Sequence, residues 1–97
     1  MRPCKRVEIV IEEAQAARLA ARLESLGVPG YTMIPRARGF GDRGKRRGDD
    51  PTGTLTNCYF LVACDAATAT RIVDGVHELL SQAGGLCLVS EAELSAH

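Results

Sequence analysis

The chain has 97 residues, 45% of them hydrophobic and 25% charged, with ten glycines and only 4% aromatics. That length makes one domain, spanning 1–97, and these ordinary globular proportions exclude disordered and collagen-like classes. So short a chain buries only about two-thirds of its unfolded surface, which leaves a lone monomer marginal and makes oligomerisation the expected remedy.

The formal net charge of zero conceals an uneven distribution. Between Arg36 and Arg47, six basic residues stand against Asp42 alone, a net of +5, and the remaining six basic and eleven acidic residues carry −5. One segment therefore holds the positive field, and an anionic partner is expected there. No apolar run approaches the roughly 18–20 residues of a membrane span, and Arg2, Lys5, Arg6 and Glu8 interrupt the start where a signal core would lie. A cytoplasmic protein without membrane insertion is expected. Cys4, Cys58, Cys64 and Cys87 form no Cys-x-x-Cys pair, so reduced, buried thiols are expected rather than zinc or disulfides.

In chain order, Val7, Ile9 and Ile11 alternate with Glu8 and Glu12, a period of two that predicts a strand over 5–11. A helix over 13–26 follows, with Ala16, Leu19, Leu23 and Leu26 on one stripe, Glu12 and Glu13 at its positive end and Gly27 as its stop. Tyr31 to Arg36 reads as a second strand that Pro35 ends or confines to an edge. Residues 39–54 hold five of the ten glycines and almost no apolar residue besides Phe40, which predicts a long flexible loop. A loop of that length in so small a domain is usually functional. Leu55 to Cys64 forms the third strand. Asp65 caps a helix over 66–82, Gly84-Gly85 ends it, and Leu86 to Ser90 forms the fourth strand.

The order β-α-β-loop-β-α-β predicts an α+β fold, a ferredoxin-like split βαβ with a four-stranded antiparallel sheet and both helices on one face. The third strand is apolar on both sides, Cys58, Phe60 and Val62 on one and Tyr59, Leu61 and Ala63 on the other. An open antiparallel sheet normally turns polar residues to water, so the second face is expected to bury itself against another copy of the chain.

Arg38-Gly39-Phe40-Gly41, followed by Arg43, Arg46 and Arg47, joins a backbone open to close approach with guanidinium forks suited to phosphate. A solvated connector has the same composition. Gly84-Gly85 offers either free N–H groups or a plain helix cap. His77 and His97 face no spaced nucleophile, and the pairs Glu12-Glu13, Asp49-Asp50 and Glu91-Ala92-Glu93 read as helix-end or solvated charge, so no catalytic constellation is present. The glycine-free, acidic junction at 11–15 is unlike the phosphate cradle of acylphosphatases. An RNA-recognition sheet would need aromatics sharing one face, whereas Tyr59 and Phe60 alternate. A module binding nucleic acid through the basic loop remains the alternative to a small-molecule sensor.

Gly30-Tyr31-Thr32, the Arg38-Gly39-Phe40-Gly41 stretch, the Arg43-x-x-Arg46 spacing and Ala83-Gly84-Gly85 leading to Glu91-Ala92-Glu93 resemble the PII signal-transduction superfamily, over nearly the whole chain. The likeness is closest to the PII-like proteins of inorganic-carbon metabolism, those associated with carboxysomes and with a bicarbonate symporter. It implies a non-enzymatic homotrimer that binds adenine nucleotide in clefts between subunits, ADP or AMP before ATP or cyclic AMP. It also implies bicarbonate as an effector near Gly39, Phe40 and Gly41, and a bicarbonate transporter or carboxysome-related protein as partner of the long loop, the T-loop. Gly30, Tyr31 and Thr32 would frame the adenosine, Arg38 and Gly39 to Gly41 would line the loop base, Arg43 and Arg46 would reach phosphate, and Gly84, Gly85 and Leu86 would stand where the superfamily's B-loop holds phosphates. Typical members follow those glycines with a lysine and carry arginines further on, whereas here Leu86-Cys87 follows. That departure argues against triphosphate binding of the usual kind, and Asp42-Arg43 at the loop base argues against magnesium-dependent 2-oxoglutarate binding. Residues 39–54 contain no tyrosine or serine to carry the usual covalent modification.

Overall fold

A computed structural model describes residues 1–41, 44–46 and 56–95. Strand β1 spans Arg2–Glu12, a 3-10 turn spans Glu13–Gln15, and helix α1 spans Ala16–Ser25. Strands β2 (Thr32–Ala37), β3 (Gly39–Gly41), β4 (Gly44–Arg46) and β5 (Asn57–Cys64) follow, then helix α2 (Ala66–Ala83) and strand β6 (Leu86–Leu94). The main sheet is antiparallel in the order β2-β5-β1-β6, and β3 pairs with β4 as a separate two-stranded ribbon. This is the expected split βαβ arrangement.

Period-two alternation assigns one face of the sheet to the core. Val7, Ile9 and Ile11 of β1 are completely buried, and so is Phe60 of β5, flanked by Cys58 and Val62. Leu19 and Leu23 of α1 and Ile72 and Val76 of α2 close over them from the same side. Asp65 caps α2 by accepting the Thr68 N–H at 2.8 Å, and hydrogen bonding from the Thr68 side chain first, then from that N–H, holds its carboxyl below the usual range.

Several boundaries differ from the sequence reading. β1 begins at Arg2 and β6 runs on to Leu94, because the two strands pair from Arg2↔Leu94 to Val10↔Leu86. Glu91, Ala92 and Glu93 are thus strand residues rather than helix-end charge, with both carboxylates exposed as expected and Glu91 ion-paired to Lys5 across the ladder. α1 starts three residues late, since the Glu13 carboxylate leaves the helix end for other partners. Pro35 lies in edge strand β2 as expected, and the register with β5 breaks between Ile34 and Ala37. Within 39–54, Gly39↔Arg46, Phe40↔Lys45 and Gly41↔Gly44 pair, so part of the expected flexible loop is a ribbon. Arg43, Leu55 and His97 lie outside the described residues. Cys58 and Cys64 are buried, whereas Cys4 and Cys87 are only half-buried, and all four are free.

Candidate functional site

The candidate residues fall into separate groups. The base of the long loop is built at the corner after β1. There the Glu13 N–H donates to the Thr56 carbonyl at 2.9 Å, Glu13 Oε1 accepts the Arg36 N–H at 2.7 Å, and Glu13 Oε2 accepts the Thr56 hydroxyl at 3.0 Å. Arg36 has φ of 57°, the left-handed region that a residue with a side chain enters at a cost. Burial first, and then the Glu13 charge, pushes the neighbouring Cys58 thiol up. From this corner Arg38 and Gly39 leave the sheet, both exposed, and Phe40 and Arg46 take their places in the β3–β4 ribbon. Arg38 has no partner among the described residues.

Gly84 and Gly85 approach the same end of the sheet from its other edge. Gly84, at φ of 74°, is the left-handed cap of α2. Its N–H and that of Gly85 both donate to the Leu80 carbonyl, at 2.9 and 3.3 Å. The helix-cap reading therefore describes these glycines, and free N–H groups for an anion do not. A Cβ at Gly85 would lie 2.4 Å from the Val10 carbonyl, so this glycine lets the turn lie against β1 and start β6. Leu86 pairs with Val10 and is 47% exposed.

Gly30, Tyr31 and Thr32 lie at the start of β2. Tyr31 stacks at a tilt on Phe60, with ring centroids 5.6 Å apart. Its hydroxyl donates to Glu24 at 3.0 Å, which pushes its pKa up. Thr32 is exposed, and a Cβ at Gly30 would meet nothing within 4 Å. Thr32 pairs with Leu61, whereas Gly39 lies beside Asn57, four strand residues or about 13 Å further along β5. Thr32 and Leu86 lie on opposite edge strands, three spacings of about 4.8 Å apart. One copy of the chain does not bring these groups together.

The sheet face away from the helices carries Ile34 and Leu88, 53% and 57% exposed, with Val10 and Leu61 between them. A polar chain crosses it that the sequence reading missed. The Tyr59 hydroxyl donates to Glu8 Oε2 at 2.7 Å, Arg6 Nε lies 3.5 Å from Glu8 Oε1, and Arg6 donates to the Ser90 hydroxyl at 3.1 Å. The bond to Glu8, then desolvation, pushes the Tyr59 hydroxyl up. Cross-strand register could have shown it, since Glu8 lies beside Tyr59 only once β1 and β5 are aligned. A cleft of about 400 Å³ among Arg2, Cys4, Gly27, Pro29, Cys64 and Asp65 contains none of the expected residues.

An anionic ligand suits the loop base better than the end of α2. Arg38 is unpaired among the described residues and Gly39 leaves open space, an added Cβ meeting only Asn57 Nδ2 at 4.0 Å, whereas the glycine N–H groups are spent. Among the described residues, no cluster of three or more His, Cys, Asp or Glu could hold a metal, and no helix is long and apolar enough to cross a membrane.

Fold and site together define a ferredoxin-like module with a basic, glycine-rich segment between edge strand β2 and central strand β5 and an uncovered second sheet face. The chain belongs to the P-II family: the family model described as nitrogen regulatory protein P-II matches residues 4–95. No curated protein matches the sequence significantly. Among solved structures, the chain is similar to CPII from Thiomonas intermedia K12, a nitrogen regulatory PII-like protein bound to ADP, AMP and bicarbonate. The TM-score is 0.87 at 21% identity, over 97% of this chain and 90% of that one. The apo form of CPII gives 0.76 at 20% identity, over 98% and 95%. A PII-like signalling protein from Thermus thermophilus gives 0.77 at 30% identity, over 96% and 90%.

Proposed function

We propose that this chain is a non-enzymatic cytoplasmic sensor, a homotrimer that binds ADP or AMP in clefts between subunits and bicarbonate near Gly39, Phe40 and Gly41. Through the loop at 39–54 it regulates inorganic-carbon metabolism, with a bicarbonate transporter or carboxysome-related protein as partner. The observation that carries the reading is the separation of the candidate residues. Gly30, Tyr31 and Thr32 of one copy are remote from Arg38 to Gly41 and from Gly84 to Leu86 of the same copy, so a site using both groups needs two copies. The apolar outer face supplies a reason for copies to associate. CPII, of the same family, binds ADP, AMP and bicarbonate, and that chemistry suits a segment of net +5.

In this reading Gly30, Tyr31 and Thr32 frame the adenosine. Because the Gly84 and Gly85 N–H groups are engaged on Leu80, the phosphates fall to Arg38, Arg43 and Arg46, planar donors that hold phosphate oxygens in pairs. A diphosphate or monophosphate is the natural load for such a set. Bound phosphate would draw these arginines together and change the order of the loop, which is what a partner would read.

Calorimetry with ADP, AMP, ATP and cyclic AMP, each with and without bicarbonate, tests the assignment. ADP or AMP is expected to bind tightest and to discriminate against GDP. Equal binding of ADP and GDP, with tighter and steeply salt-dependent binding of short oligonucleotides, contradicts the sensor and favours the nucleic-acid module.

A further inference from the structure

Glu13 occupies an unusual place for a residue at the start of a helix. Its carboxylate does not cap the turn it begins; both oxygens reach across the fold, one to the Arg36 N–H at 2.7 Å and the other to the Thr56 hydroxyl at 3.0 Å. Its own N–H completes the corner by donating to the Thr56 carbonyl at 2.9 Å. Arg36 and Thr56 stand at the exit and the return of the segment that carries the basic loop. Among the described residues Arg36 alone combines a side chain with positive φ, and the β2–β5 register breaks beside it. A left-handed residue other than glycine persists when its surroundings hold it there, and a charged acceptor on its N–H is such a hold.

We propose that Glu13 is the positioning residue of the loop base: it keeps Arg36 left-handed, sets the direction in which Arg38 and Gly39 leave the sheet after Ala37, and ties that exit to the return strand at Thr56. Glu13 acts through backbone geometry and needs no contact with a ligand. Its consequence for ligand affinity rests on the function proposed above, because a ligand at Arg38 and Gly39 meets a surface whose shape Glu13 has set. Glutamine can take over much of the role, with its oxygen on the Arg36 N–H and its amide donating to the Thr56 oxygen. Alanine can take over none of it. Glycine at position 36 adopts positive φ freely and makes the hold less necessary.

Amide hydrogen exchange on the full-length protein, read residue by residue, tests the proposal. Glu13→Ala is expected to speed exchange at Arg36 at least fivefold while core amides such as those of Val62 and Ile72 stay within twofold. Glu13→Gln should remain within twofold of the parent at Arg36. Unchanged exchange at Arg36 in Glu13→Ala overturns the proposal, and so does an equal acceleration at Val62 and Ile72, which would make Glu13 a general support of the fold. ADP calorimetry on the same proteins reads the consequence, with Glu13→Ala at least fivefold weaker, Glu13→Gln close to the parent, and Glu13→Ala/Arg36→Gly recovering part of the loss. Parental affinity in Glu13→Ala alongside fast exchange at Arg36 overturns the link from loop base to ligand. Failure of the parent itself to bind any adenine nucleotide overturns the proposed function and leaves the exchange result to judge Glu13.

Discussion

The two faces of the sheet come from the same strands and carry opposite chemistry. Toward the helices, Val7, Ile9, Ile11 and Phe60 are completely buried, and the buried polar side chains, Thr56 and Thr68, stand beyond the ends of that apolar run. Away from the helices, Ile34, Leu86 and Leu88 lie about half exposed, and the chain Ser90-Arg6-Glu8-Tyr59 runs among them. The helix face is complete within one copy and decides whether the chain folds. The open face is incomplete, with apolar area that a single copy leaves wet and hydrogen-bonded charge that fixes how a partner surface could register against it.

Substitutions on the two faces should therefore fail in different ways. The largest effect is expected on the helix face: Phe60→Ala removes a ring at the centre of the core and should cost about 3–5 kcal/mol, a large share of the roughly 5–15 kcal/mol of a small domain. Thermal unfolding followed by circular dichroism reads it, and a variant that melts within a few degrees of the parent would blur the contrast. If the proposed trimer forms through the open face, Leu88→Asp should leave the secondary structure intact and yield a monomer where the parent sediments as a trimer at micromolar concentration. Because burial of apolar surface is not screened as charge is, parental assembly should survive moderate salt.

Loop variants should spare both faces. Arg43→Ala or Arg46→Ala is expected to weaken ADP binding about tenfold, the equivalent of about 1.4 kcal/mol, with assembly unchanged. Lysine at either position should recover part of the loss, since it keeps the charge and loses the fork. The smallest effect belongs to Tyr59→Phe, which removes one partly exposed bond to Glu8 and should cost under about 1 kcal/mol in the isolated fold. A Tyr59 hydroxyl pushed above 10.0 in the folded state stabilises the fold at all lower pH, and that contribution is lost as pH rises through the folded pKa. The stability difference between the parent and Tyr59→Phe, read by chemical denaturation at a series of pH values, should therefore shrink as pH rises above 10.0 and the Tyr59 hydroxyl ionises.

The contrast between faces also marks how far sequence reasoning reaches. The buried strands and both helices were legible because their apolar period belongs to the local sequence, and Asp65 before Ala66 announced its helix in the same way. The continuation of β6 to Leu94 was hidden by Glu91 and Glu93, whose strand character comes from pairing with the equally polar start of β1. The ribbon of Gly39–Gly41 with Gly44–Arg46 was hidden by glycines that suggest flexibility and also permit close pairing. Gly85 read as a helix stop, and its closer requirement, the Val10 carbonyl at 2.4 Å from any Cβ, belongs to a strand far away in sequence. Glu13 was the least legible residue of the site, because its partners lie 23 and 43 residues on and one of them is a backbone N–H, which leaves no mark on residue type.

The central claim is that two copies of the chain complete each nucleotide site, and mixing two defective variants tests it directly. Arg43→Ala/Arg46→Ala damages the loop group, and Gly30→Leu damages the β2 group at a position where an added Cβ meets nothing within 4 Å of its own chain. Each variant alone should bind ADP poorly. Refolded together in equal amounts, a cyclic trimer in which each junction draws one group from each neighbour restores one intact site per mixed trimer, so about a quarter of the parental sites should return at parental affinity. Mixed trimers that form and bind no more ADP than the two variants measured separately would contradict the account.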